Sequence, residues 1–309
     1  MCYQLVLPPL KGLKVKKALL VSSIALLTSF ISHAQIAEIE LAKSAIVTDE
    51  GSRHDIETNI TTISGKVYFS QLDTSKGPLS EAGFLDKKGY ISLSREKYDI
   101  KYKRAVYDSY YTPGYDETVL NVSFKAVTNS DLIFEGHYQK LDSSDDFNSK
   151  RYQLGMGFYM NDNASIVFSL IKEDFGYNSS SKGFDTALKY FIPFNNGKAL
   201  SVGGNVNLIS YDFNRNNDPY KFSINAFIKY YLTNNLNLAL STYSDVISLD
   251  DNSDTMITHQ KISFGSEYFI NEYIAINGHI GLGSGEEEER YDDTETTETF
   301  IKLGLKTRF

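Results

Sequence analysis

The chain has 309 residues, with 31 Lys and Arg against 39 Asp and Glu and a formal net charge of -8. Hydrophobic residues make up 41% of it, which argues against a wholly disordered protein. The acidic balance argues against a nucleic-acid partner, because general nucleic-acid binders need a basic surface to displace counterions from phosphate.

The first 34 residues have the order of a secretory signal peptide. A basic region that includes Lys14 precedes an apolar stretch from Ala18 to Ile31, and the small residue Ala34 follows. The apolar stretch is shorter than the roughly 20 residues of a spanning helix. We therefore expect cleavage after Ala34 and a single exported domain over residues 35–309, with a translation start near residue 15 as an alternative. Cleavage removes Cys2, the only cysteine, so disulfides and thiol sites are not expected.

Beyond residue 34 the dominant pattern is strict alternation of apolar and polar residues. No apolar run there is long enough for a membrane helix, since the longest uncharged run, from Tyr230 to Ser244, is interrupted by two asparagines. Alternation at period two predicts β-strands with one apolar and one polar face. Leu238, for example, is expected to face lipid and Asn237 to face water.

The connections between these segments fall into two kinds. Tight turns are predicted at 161–163, 195–197, 233–235 and 271–272, where Asn and Gly tolerate the positive φ of a short hairpin. Longer polar loops are predicted at 142–148, 214–219, 250–258 and 283–297. Short turns on one rim and long loops on the other are typical of a bacterial outer-membrane β-barrel. The longest connections are expected to be near 15 residues, too short for the plug or inward loop of a receptor.

The pattern predicts an all-β, antiparallel, up-and-down transmembrane barrel of about 14 strands. Twelve or sixteen strands are the alternatives. A change of apolar parity at 95–97 suggests a bulge or a hairpin there. The predicted strands are 36–48, 57–70, 88–106, 117–127, 131–141, 149–160, 164–174, 183–194, 199–212, 220–232, 236–247, 258–270, 273–283 and 297–309.

Strands that run toward the tight turns end in similar aromatic pairs. We expect these pairs to form a girdle at one membrane interface, where amphipathic rings lie at headgroup depth. The pairs lie in 67–69, 158–160, 190–192, 230–232 and 268–270.

Residues 65–86 resemble a segment of a general bacterial porin family. The strand Gly65-Lys66-Val67-Tyr68-Phe69 is followed by a connection that contains Gly77-Pro78-Leu79-Ser80-Glu81-Ala82-Gly83-Phe84-Leu85. The resemblance implies a passive diffusion pore for small hydrophilic solutes and supplies no functional residues to transfer. At the other end of the chain, Lys302, Gly304 and Phe309 resemble the signal that barrel assembly machinery recognises, although Thr307 departs from it.

The polar face is expected to line the pore, and its bases outnumber its acids on this assignment. A net basic wall would raise the local concentration of anions, so we expect a mild anion preference. His137 and His279 are placed on this face as well. The bases are Lys66, Lys101, Lys103, Lys125, Arg151, Lys189, Lys221, Lys229, Lys261, Lys302, Lys306 and Arg308, and the acids are Asp99, Glu135, Asp185 and Glu267.

Two other functional classes stay open at this point. An enzyme would need one of the histidines beside a serine with an orienting group, or an acidic cluster at the outer rim such as Asp250, Asp251 and Asp254 with His259. A binding or adhesin role through the acidic loops, including 286–289, is the other, with divalent cations or lipopolysaccharide as ligands. We expect no catalytic residue, cofactor or resident metal; the expected partners are outer-membrane lipid, lipopolysaccharide, the barrel assembly machinery and small hydrophilic solutes. The oligomeric state is left open.

Overall fold

The computed structural model describes residues 37–50, 54–104, 114–144, 148–175, 179–212, 219–248, 256–289 and 292–309. The predicted signal peptide and its cleavage site lie outside these ranges. The described part contains no helix that has both the length and the apolar character needed to cross a membrane.

Fourteen strands form one closed antiparallel barrel, as predicted. Each strand pairs with its neighbours in the chain, and β1 also pairs with β14, from Glu38 opposite Arg308 to Asp49 opposite Thr297. The strands are β1 Ala37–Asp49, β2 His54–Tyr68, β3 Tyr90–Arg104, β4 Tyr115–Val127, β5 Leu132–Ser143, β6 Asn148–Asn161, β7 Ala164–Phe175, β8 Ser179–Pro193, β9 Ala199–Asp212, β10 Tyr220–Tyr231, β11 Leu236–Ser248, β12 Met256–Phe269, β13 Ile274–Glu289 and β14 Asp292–Arg308.

The apolar face of the strands points outward. Leu154, Leu170 and Leu303 are 68%, 74% and 65% exposed, as lipid-facing residues of a barrel are in the absence of lipid. Asn237 is 4% exposed and lies on the inner face. The expectation that Asn237 faces water is wrong, because its Nδ2 lies 3.4 Å from Oγ of Ser80 inside the barrel.

The prediction of a bulge or a hairpin at 95–97 is wrong. The register of β3 runs without a shift from Tyr90 to Arg104 against β2, and it is equally continuous against β4. The alternation set by the outward residues Ile91 and Leu93 therefore continues along β3 toward Arg104, and it places Arg95 and Lys97 on the outer face. The apparent change of parity arises because the outward residues in the half of β3 that ends at Arg104 are charged.

The rule of short turns and long loops is also partly wrong. Strand pairing continues through most of the loop predicted at 283–297, because β13 extends to Glu289 and β14 begins at Asp292. The longest connection, 69–89 between β2 and β3, lies instead on the rim of the tight turns. That rim also holds both ends of the barrel, where the N–H of Phe309 donates to the carbonyl of Ala37 at 2.8 Å.

Candidate functional site: the barrel interior and its inward segment

Residues 69–89, which we call the inward segment, fold into the barrel at the tight-turn rim. The segment contains two short 3-10 turns, Thr74–Lys76 and Leu79–Glu81, and one helical turn, α1, Ala82–Leu85. The N–H of Leu79 donates to the carbonyl of Asn234 at 3.0 Å, and Nη2 of Arg308 donates to the carbonyl of Leu79 at 3.2 Å. The segment thus leaves β2 and reaches the far wall, which corrects the expectation that no long connection turns inward.

A buried carboxylate, Glu81, fixes the middle of the segment to the wall. Glu81 is 1% exposed. It accepts hydrogen bonds from the hydroxyl of Tyr231 and from Nζ of Lys189, and Nζ of Lys229 lies 3.7 Å away. These partners compensate the charge of the buried acid, whereas loss of the acid would leave two lysines facing each other.

The aromatic pairs have two roles rather than one. Their outward members include Phe158, Tyr190 and Tyr268, which are at least 41% exposed, as an interfacial girdle requires. Their inward members are almost fully buried and surround the inward segment, an arrangement that the interfacial interpretation did not predict. These are Tyr68, Tyr159, Phe191, Tyr231 and Phe269.

The contacts of these inward rings show how the segment is seated. Tyr231 and Phe191 pack with Leu85, and Phe269 packs with Leu79. The hydroxyl of Tyr159 donates to the carbonyl of Phe84 at 3.2 Å. The inner half of each aromatic pair is therefore a binding surface for the segment.

Lys87 joins the end of the segment to the neighbouring turns. It adopts a positive φ of 51°, and its Nζ donates to Asp131 and Asp162 at 2.9 Å each. The hydrogen bond and the positive charge of Lys87 hold the pKa of Asp162 below its usual value. This link keeps the segment in register with the β4–β5 and β6–β7 turns.

The structure places most predicted pore-lining residues on the inner face. Register and burial put Lys101 on the outer face with Asp99, 3.2 Å away, because β3 has no bulge. The side chain of Lys103 lies outside the described part. The inward-facing predicted residues are Lys66, Lys125, Glu135, His137, Arg151, Asp185, Lys189, Lys221, Lys229, Lys261, Glu267, His279, Lys302, Lys306 and Arg308.

The expectation of a net basic wall is wrong for the part of the barrel that the structure describes. Strand parity brings several acids inward that the sequence assignment omitted. Most inward bases have an acidic partner, for example Lys125 with Glu135 at 3.0 Å and Arg308 with Glu38 at 2.6 Å. The omitted inward acids are Glu38, Glu40, Glu96, Glu117, Glu173, Asp245 and Glu298 on strands, and Glu81 on the inward segment.

Two cavities lie along the interior above the inward segment. One, of about 420 Å³, is lined by Glu81, Phe84 and Lys189 among others. The other, of about 380 Å³, is lined by residues of β6, β7, β9, β10 and β11 that include Arg151, Tyr211 and Tyr243. Asn205 and Asn225 line both cavities, so the two cavities are neighbours.

The enzyme interpretation finds only part of a catalytic arrangement. Oγ of Ser123 lies 2.8 Å from Nδ1 of His137 inside the barrel. Within the described ranges no carboxylate is hydrogen-bonded to His137, so this pair has no orienting acid there. His259 contacts Asp245 at 3.0 Å. Residues 250–255, which carry the predicted rim acids, and the side chain of His54 lie outside the described residues.

Of the predicted assembly signal, Lys302 and Gly304 lie on the closing strand β14, and Phe309 directly follows it. Gly304 faces inward, and a Cβ there would lie 2.6 Å from Oδ1 of Asn277. Phe309 is 57% exposed and pairs through its backbone with Ala37. The acidic stretch 286–289 forms strand rather than loop, and its only described side chain, Glu286, is exposed. Among the described residues no group of three or more acids, histidines or cysteines is arranged to hold a metal ion.

No family model and no curated protein matches the chain. A bacterial polysaccharide outer membrane secretin has a similar fold, with 11% identity, a TM-score of 0.51 and coverage of 89% of this chain and 99% of that chain. The Acinetobacter baumannii outer membrane protein Omp33 is 17% identical over 89% of this chain and 100% of its own, with a TM-score of 0.48. In-vitro folded OmpT of Vibrio cholerae is 9% identical over 89% and 97%, with a TM-score of 0.48.

In the described strands the backbone ladder closes on itself and the outer face carries an apolar band, as a barrel that spans a membrane requires. The protein is an outer-membrane β-barrel. Its strand number is even and both ends of the barrel lie on the tight-turn rim, so that rim is the periplasmic one.

Proposed function

We propose that the barrel is a diffusion channel for small hydrophilic solutes, narrowed at its periplasmic mouth by the inward segment. The two neighbouring cavities in the barrel interior, which share Asn205 and Asn225, support this proposal most directly. A barrel of eight strands would be filled by its own side chains, whereas fourteen leave an aqueous interior. The channel is proposed as a non-enzymatic protein.

The proposed channel has little charge preference. Because the described inner bases are largely matched by acids, the anion preference expected from the sequence loses its basis. Ion pairs along the wall still orient passing solutes, since water-filled paths lined by opposed charges present a transverse field.

A second candidate function is a barrel that opens only for a dedicated ligand. The seating of the inward segment favours it, because Glu81 and five inward aromatic rings hold the segment across the mouth. In that case the segment is a plug rather than a constriction.

Conductance of purified protein in planar bilayers tests both proposals. The useful variant replaces 71–87 with a short Gly-Ser turn, because Tyr68 and Tyr90 are paired and can end a hairpin. Glu81→Gln is the milder variant, and Glu286→Gln, at an exposed site on the outer face, is its matched control.

The outcomes separate the candidates. Steady conductance in the wild type, larger in the shortened variant and in Glu81→Gln but not in Glu286→Gln, is the result expected of the channel. A silent wild type with a conducting shortened variant would replace the channel by the plugged barrel. Silence in all four folded proteins would exclude both and leave a binding or adhesin role.

A further inference from the structure

Arg151 is the one inward base, among those that the structure describes on the barrel wall, without an acid at ion-pair distance. Each of the other inward bases named for the pore wall has an acidic partner at 3.9 Å or less. Arg151 is half-buried and lines the cavity of about 380 Å³, which we call the Arg151 cavity. A guanidinium carries five N–H donors, so Arg151 can bind an anionic group of a solute in this cavity.

Glu173 is the acid next to Arg151, and it too has no ion-pair partner among the described residues. The two residues are directly opposite each other in the β6–β7 register, and both line the Arg151 cavity. Residues so placed have Cβ atoms about 5 Å apart, yet no ion pair joins this base and this acid within the described ranges. Ser149 donates a hydrogen bond to Glu173, which leaves acceptor sites of the carboxylate open. The cavity therefore presents a positive and a negative group side by side.

The Arg151 cavity also contains a buried acceptor that no described donor reaches. Asn207 is 8% exposed, and its Oδ1 has no hydrogen-bond partner among the described residues. Burial of such an acceptor is costly unless water or a solute supplies a donor. The stacked rings of Phe175 and Tyr211, with centroids 5.9 Å apart, add an apolar surface to the lining. Charged, polar and apolar groups thus converge on one cavity.

The cavity lies toward the rim opposite the inward segment. Arg151 is near the start of β6, which begins with Asn148 at the outer rim, and Phe175 ends β7 at the same rim. A solute that enters from outside therefore meets the Arg151 cavity before it reaches the inward segment. This position suits a site that selects which solutes go further.

We propose that the Arg151 cavity binds a zwitterionic α-amino acid. The carboxylate of the solute pairs with Arg151, its ammonium pairs with Glu173, and its side chain lies against the rings of Phe175 and Tyr211. A simple anion would face the acid and a simple cation would face the base, whereas a zwitterion satisfies both. The inference rests on the proposed channel function for the route by which the solute arrives, while the contacts depend on the cavity alone.

Saturation-transfer-difference NMR of the folded mature protein in a neutral detergent measures binding, with the signal from empty micelles subtracted. The three probes share one aromatic ring: L-phenylalanine, 3-phenylpropionate, which lacks the ammonium, and 2-phenylethylamine, which lacks the carboxylate. The test variants are Arg151→Gln and Glu173→Gln. Their matched controls are Lys302→Gln and Glu40→Gln, at an inward base and acid that are 3.9 Å apart and line neither cavity. Circular dichroism verifies strand content in each protein.

The wild type and both controls are expected to bind L-phenylalanine on the order of tenfold more tightly than either analogue, as loss of one charge-assisted contact implies. Arg151→Gln should bind L-phenylalanine no better than 2-phenylethylamine, because the carboxylate has lost its partner. Glu173→Gln should bind it no better than 3-phenylpropionate, because the ammonium has lost its partner. A misfolded variant would lose all three probes instead of giving this crossed pattern.

Equal binding of L-phenylalanine and either analogue to the wild type would overturn the proposal. A test variant that keeps the wild-type order of affinities would also overturn it, as would a control that loses this order. Conductance of the wild type in planar bilayers separates the site from the channel. Conduction of potassium chloride without binding would keep the channel and overturn the site, whereas binding without conduction would keep the site and overturn the channel.

Discussion

At the scale of single residues, position along a strand decides whether a polar side chain is tolerated. Leu154 on β6 is 68% exposed toward lipid, whereas its neighbour Gln153 faces the interior beside His137. The two residues are adjacent in a strand whose side chains alternate between the two faces, so Leu154 faces lipid and Gln153 faces the barrel interior.

Leu154→Arg should destabilise the folded barrel by about 2–4 kcal/mol, because it places a charge near the middle of the apolar band. Gln153→Arg adds the same side chain to the aqueous face and should change the free energy of unfolding by well under half of that amount. Urea titration in lipid vesicles measures both. Equal losses would show that the two faces of β6 are assigned wrongly.

Glu81 shows how a single residue can escape sequence interpretation. It lies in the segment that carries the family resemblance, yet no local pattern marks it as buried. Its partners Lys189 and Tyr231 are more than 100 residues away, so their convergence depends on closure of the barrel. A Glu followed by an apolar helical turn after Pro-Leu was the only available signal.

At the scale of elements, small residues permit close approach between strands. A Cβ at Gly157 on β6 would lie 2.0 Å from the carbonyl oxygen of Ile166 on β7, a backbone atom that cannot rotate away. At Gly65 on β2 a Cβ would have no atom nearer than 3.9 Å. The two glycines therefore differ in the space around them.

Gly157→Ala should destabilise the β6–β7 hairpin by about 1–3 kcal/mol, because the backbones must separate to fit the methyl group. Gly65→Ala should be neutral or slightly stabilising, since a strand residue gains from losing the freedom of glycine. Thermal unfolding monitored by circular dichroism compares the two. A greater loss at Gly65 than at Gly157 would contradict the packing described for these strands.

At the scale of the whole molecule, closure of the barrel brings charged residues of different strands together as ion pairs. Lys261 contacts Glu298 across β12 and β14, and Lys306 contacts Glu267. The net charge of the inner wall therefore differs from that of the bases counted alone, and ion selectivity should follow the paired structure.

The reversal potential of the wild type under a potassium chloride gradient should lie close to zero. Lys261→Glu should shift it toward cation selectivity, because Glu298 then faces a second acid. Lys101→Glu, with the same charge change on the outer face, should leave it unchanged. Strong anion selectivity in the wild type would support the net basic wall inferred from the sequence. An equal shift of the reversal potential in both variants would show that charges outside the pore set the ion selectivity.

Local alternation was sufficient to predict the barrel class, a strand number of about 14 with twelve and sixteen as alternatives, and the lipid-facing side of most strands. Period two depends only on neighbours in the chain, and strands such as β9 begin and end at the predicted residues. Where that local pattern changed, as at 95–97, the inference failed, because the register of β3 is held by β2 and β4 rather than by its own residues.

Only the tertiary structure decided what the barrel contains. Whether 69–89 lies outside or inside depends on contacts with β6, β8, β10 and β14, none of which is near it in sequence. The same holds for the inner half of each aromatic pair and for the acids opposite the lysines. Alternation specifies whether a side chain points inward or outward. The partner of an inward side chain depends on which strands face each other across the interior, and those strands come together only when the first and last strands pair and close the barrel.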